Sequence, residues 1–89
     1  MAKKRRKLNK DLERAIYSSK KNVELVLAKI YDIDDEDIQK EYMSAFKEVV
    51  DLYDELKVDY AQKGFNDNSD ELLKNYKNAF NIFESEFEI

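Results

Sequence analysis

The stretch DEDIQKEYMSAFKEVVDLYDELKVDYAQKG, residues 35–64, decides the fold. Within it Ile38, Tyr42, Ala45, Val49, Leu52 and Leu56 recur at alternating spacings of four and three, the period at which one face of an α-helix repeats. Met43, Phe46, Val50, Tyr53 and Tyr60 form a second apolar row beside the first. A helix lying on a core needs one stripe, whereas two stripes indicate a helix wedged between two neighbours. The spacing therefore predicts a long central helix over about 35–63, flanked on both sides. Gly64, the only glycine in the chain, closes the pattern where a left-handed residue is wanted, and Phe65 beyond it is expected to fold back on Tyr60.

On the N-terminal side, Leu12, Ile16, Val23, Val26, Ile30 and Ile33 make one amphipathic row, with Ser19 in its single polar slot and Ala15 and Leu27 widening it. A helix is predicted over about 8–31. Residues 32–37 are nearly all carboxylate and stand where one helix stops and the next begins. Acids there accept from free N–H groups and oppose the positive end of the helix dipole, so capping explains them. On the C-terminal side, residues 66–69 form a polar turn. Asn68 followed by Glu71 has the layout of a capping box, with Ser69 as the rival cap. A third helix over about 69–86 places Leu72, Leu73, Tyr76, Ala79, Phe80, Phe83 and Phe87 on one side.

Composition agrees with this pattern. One glycine, no proline and 40% charged residues suit long helices and exclude an all-β chain, which needs many turns. Eighty-nine residues allow one core. The expected fold class is all-α: a three-helix antiparallel bundle with a long central helix, one domain over 8–89, preceded by a basic flexible arm over 1–7. The arm is expected to be disordered because five like charges in a row repel one another. Its basic start resembles that of a signal peptide, but no apolar stretch follows and no run is long enough to span a bilayer. A cytoplasmic protein is expected, in the host cytoplasm if it is phage-encoded, with no membrane contact.

Most chemistry lacks its residues. The chain has no His and no Cys, so the commonest general base, the commonest zinc ligands and the thiol nucleophile are missing, as are disulfides. One glycine excludes both a Walker A loop and a dinucleotide fingerprint. Asp32, Asp34 and Glu36 have the first spacings of a calcium loop, yet Asp37 stands where its glycine belongs and Met43 where its glutamate belongs. A register beginning at Asn66 fails in the same way, with Glu71 and Lys77 in those two places. No enzyme activity, metal or cofactor is expected.

The informative feature is the distribution of charge. Residues 1–30 hold ten Lys or Arg against three acids, a balance of +7, while residues 31–89 hold six Lys against seventeen acids, a balance of −11. Lys3, Lys4, Arg5, Arg6 and Lys7 lead onto Lys10, Arg14, Lys20 and Lys21 on the water side of the first helix. Tyr17 lies among them as an expected exposed aromatic. Such a patch suits phosphate groups, with Tyr17 placed to stack on a base or sugar; the same arm also suits another anionic partner, an import receptor, or plain solubilisation. Glu41, Glu48, Asp51, Asp54 and Glu55 are expected to line the water side of the central helix. That row resembles the regular charge of a nucleic-acid backbone and suits a basic groove on a larger protein. The bland alternative is a solvated face.

Most of the six Tyr and five Phe fall on apolar rows and are expected in the core, with Tyr17, Tyr31 and Phe87 as candidate interface anchors. If the third helix leaves Met43, Val50 and Tyr53 uncovered, they form a strip for homodimerisation. The expected function is that of a non-enzymatic, stoichiometric regulator or inhibitor binding a larger protein through its acidic helical face. This build is common among regulators and inhibitors carried by phages and mobile elements. The alternatives are a nucleic-acid binder using the basic arm and first helix, and a self-assembling structural helical protein.

Overall fold

The structure is a computed structural model that describes residues 7–87. It consists of three helices and no strand among those residues: α1 (Lys10–Tyr31), α2 (Glu36–Lys63) and α3 (Ser69–Glu86). Each helix runs antiparallel to the one before it. Asn9 and Tyr60 meet at one end of the α1–α2 pair and Gln39 and Ile30 at the other; Tyr42 meets Phe87, and Tyr53 meets Tyr76, along the α2–α3 pair. As its two apolar rows require, α2 is the longest helix and packs against both neighbours. The molecule measures 58 × 20 × 18 Å.

The helix starts are set by side-chain caps. Asn9, in extended conformation, accepts from the Leu12 N–H at 2.9 Å and starts α1 two residues later than periodicity predicts. Asp35 accepts from the N–H groups of Asp37 (2.9 Å) and Ile38 (3.1 Å), so the acidic stretch does act as a cap for α2. Gln39 reaches back from the first turn of α2 to the carbonyls of Ile30 and Tyr31, both at 3.2 Å, and satisfies the open end of α1.

At the start of α3 the structure departs from expectation. Asn68 makes no side-chain cap, so the capping box with Glu71 does not form. Asn66 organises the turn instead. Its amide nitrogen donates to Asp59 (2.8 Å) and to the Gly64 carbonyl (2.9 Å), and its amide oxygen accepts from the Asn68 N–H (2.8 Å). Ser69, fully buried, accepts from the Asn66 N–H at 3.0 Å.

Gly64 has the positive φ its position suggests, 71°, but its ψ of −161° is extended and lies outside the left-handed helical well. That conformation lets it form an isolated parallel bridge with Lys7, and the Phe65 N–H donates to the Lys7 carbonyl at 2.6 Å. Lys7, expected within a free arm, is thus tied to the α2–α3 turn, and its ammonium lies 5.4 Å from the centroid of the Phe65 ring. Of the arm, Lys3, Lys4, Arg5 and Arg6 lie outside the described residues.

Two seams of different chemistry make the core. Val23, Val26 and Ile30 of α1 form an aliphatic seam that packs into the core with Phe46, Val49 and Tyr53 of α2, Leu12 is buried near Phe65 and Leu73, and buried Ser19 satisfies itself by donating to the Ala15 carbonyl at 2.7 Å. Between α2 and α3 the seam is aromatic, with Tyr42, Phe46 and Tyr53 meeting Phe87, Phe83, Phe80 and Tyr76 at centroid distances of 4.8–6.5 Å. Phe87 belongs to this seam, stacked on Phe83 at 5.1 Å, and is not a free interface anchor. Direct packing between α1 and α3 is slight, and an open furrow of about 590 Å³ runs between them over Ser19, Val26, Tyr76 and Phe80.

Candidate binding surfaces

Tyr53 is buried, its ring 6.1 Å from that of Tyr76, and it is not available as a dimerisation anchor. Met43 and Val50 are half-buried and border a shallow groove with Leu27 of α1, so the expected strip shrinks to two partly covered side chains. Tyr31 is exposed at the end of α1.

The five acids of the α2 row are all exposed, and two of them are paired with lysines. Asp51 accepts from Lys47 at 2.8 Å one turn earlier, and Asp54 pairs with Lys57 at 3.6 Å. The Lys47 ammonium is held above its ordinary value, first by the hydrogen bond to Asp51 and then by that carboxylate's charge. Exposed pairs of this kind add little to helix stability, but they offset the charge a partner would feel. Glu41, Glu48 and Glu55 remain. They stand seven residues apart, which keeps them on one side of α2 at intervals of about 10.5 Å, and none has an ion-pair partner among the described residues.

That line follows the edge of α2 that borders α3. Glu48 stands beside a shallow groove of about 220 Å³ between the two helices, which Glu86 also lines from α3. Ala45 and Ala79 are the small side chains that leave the groove open, and Ile82, 59% exposed, presents apolar surface within it. The arrangement is an acidic rim on a narrow apolar floor.

On α1 the expected basic stripe is present where the structure describes it. Lys10, Arg14, Tyr17 and Lys21, at spacings of four, three and four, share the exposed side of the helix. Tyr17 is 58% exposed, and the Lys21 ammonium lies over its ring, 5.0 Å from the centroid. An exposed contact of that type is worth about 0.5–1 kcal/mol, less than the roughly 1–3 kcal/mol of a base stacked on an aromatic ring. Glu13 also borders this area, but its carboxylate takes a hydrogen bond from the Tyr60 hydroxyl, which in turn accepts from the Asn9 N–H at 3.1 Å. The Glu13 carboxylate is thereby drawn toward α2, while exposed Glu24, seven residues after Tyr17, stands on the same side of α1. Sequence reasoning could not see this arrangement, which joins residues 47 and 51 positions apart.

Among the described residues no three His, Cys, Asp or Glu side chains gather so as to hold a metal ion, and no helix is long and apolar enough to cross a membrane. In comparisons with known proteins, no family model, no curated protein and no solved structure matches this chain.

Proposed function

We propose that the protein is a non-catalytic, stoichiometric regulator or inhibitor that binds a larger protein through the acidic groove between α2 and α3. The observation that supports this most directly is the line of unpaired Glu41, Glu48 and Glu55 beside a groove with exposed Ile82 on its floor. A rim of one charge steers an oppositely charged partner to the surface, while the apolar floor supplies desolvation once it has arrived. The matching partner surface is basic and amphipathic, with Lys or Arg flanking a short apolar ridge. A chain without His or Cys acts here by occupying that surface, not by changing it chemically.

The test is affinity capture from a nuclease-treated extract of the organism that encodes the protein, using the native chain, a Glu41→Lys/Glu48→Lys/Glu55→Lys variant and a Lys10→Ala/Arg14→Ala/Lys21→Ala variant. One basic protein species should be retained by the native chain and by the α1 variant. The α2 variant should bind it about 100-fold more weakly or not at all, because like charges facing one another cost several kcal/mol. Circular dichroism checks that the variants keep their helices. Retention of the same species by the α2 variant, or loss of every partner on nuclease treatment, overturns the proposal.

A further inference from the structure

We infer that the exposed stripe of α1, independently of the acidic groove, is a binding surface for single-stranded nucleic acid, with Tyr17 as a stacking platform for one base. Three features of the stripe point to this ligand. First, Lys10, Arg14 and Lys21 lie on one side of the helix over about 16 Å, and Lys7, tied at the Gly64 bridge, continues their charge toward the α2–α3 turn. A strip of fixed cations of that length follows a phosphate backbone, whereas a single carboxylate or phosphate would engage one or two of them. Second, the only aromatic ring on the stripe is exposed, whereas the buried residues of α1 are aliphatic except for Ser19 and include no ring. A ring in that place is of no use to the core and presents a face to solvent. Third, its present companion is the Lys21 ammonium, an exposed contact that a base displaces while Lys21 turns to the adjoining phosphate.

A single strand is favoured over a duplex because stacking on Tyr17 needs a base free of its own stack. Of the three carboxylates on the described part of α1, Asp11, Glu13 and Glu24, Glu13 is engaged by the Tyr60 hydroxyl and Glu24 stands near the Lys21 end of the stripe. Lys3, Lys4, Arg5 and Arg6 precede the stripe in sequence; the inference rests on the described residues alone.

Fluorescence anisotropy with a labelled single-stranded oligonucleotide of about 12 nucleotides tests this directly. The native chain is expected to bind at low salt, with log K falling against log salt at a slope of about −2.8 or steeper for four described cations. Tyr17→Ala should weaken binding about 5- to 150-fold while Tyr17→Phe stays near native, and Lys10→Ala/Arg14→Ala/Lys21→Ala should make the slope shallower by about 2. Absence of binding at low salt overturns the inference. So does native affinity in Tyr17→Ala, which would reduce the stripe to a generic polyanion contact. Binding to vesicles of anionic lipid with none to the oligonucleotide overturns it in favour of a membrane surface.

Discussion

At Gly64 a single residue serves three elements. Its extended backbone with positive φ ends α2, opens the turn to α3 and pairs with Lys7 ahead of α1. That combination of angles is open to glycine alone, and the residue is buried. Gly64→Ala should therefore cost about 1–3 kcal/mol, seen as a fall in the thermal midpoint of roughly 4–8 °C for each kcal/mol. An unchanged midpoint would mean that the turn relaxes around a Cβ and that the Lys7 bridge is dispensable. The position was legible from the sequence as the sole glycine after an apolar row; the conformation was not, because the bridging partner lies 57 residues away. Asn66 was missed for a different reason. An Asn in a polar turn is ordinary, and only the approach of Asp59 and Gly64 gives its amide three bonds. Conversely, the pairing of Asp51 and Asp54 could have been read in advance, since Lys47 and Lys57 stand at spacings that pair on a helix.

Among the elements, α2 was the most legible because its double row states that it has two neighbours, and hence that the bundle has three helices. What periodicity does not carry is the difference between the two seams. Tyr53 and Tyr76 bring phenol hydroxyls into the aromatic one, and burial, the largest cause in both, holds each above the usual value of 10.0. For Tyr53 the nearby Lys57 opposes this, and for Tyr76 the Ser19 side chain does. A raised phenol favours the fold while it stays neutral. Its contribution is complete below pH 10, where the unfolded chain also keeps its proton, and is lost as the pH rises through the higher folded values. The thermal midpoint should fall above pH 10. Lysines titrate in the same range, so the diagnostic comparison is Tyr53→Phe/Tyr76→Phe, whose midpoint should fall less steeply than that of the native chain. Parallel curves would assign the loss to the lysines.

Over the whole molecule, charge is separated across the bundle as well as along the chain. The basic stripe lies on the water side of α1 and the unpaired glutamates along the α2–α3 groove, with the core between them. The sequence showed the polarity of the halves. It did not show that the two surfaces belong to different seams, or that α1 and α3 would leave a furrow, because both follow from how helices settle against α2 and not from the period of any one of them.

That furrow has a consequence for motion. Having little packing against α3, α1 is held by one aliphatic seam, by the Tyr60 hydroxyl and the Lys7 bridge at its start, by the long bond from the Tyr76 hydroxyl to the Ser19 carbonyl at its middle and by Gln39 at its end. The α2–α3 pair has interlocking rings along its length that remain in contact when α1 leaves. Stability should therefore be graded, with α1 detaching as a cooperative unit below the free energy of global unfolding. Native-state hydrogen exchange would show mid-helix amides of α1 losing protection together and earlier than those of α2 and α3, whereas equal protection in all three helices would mean one indivisible fold. Such an opening bares the apolar side of α2, so a ligand that clamps α1 shut will slow proteolysis of a helix it never touches.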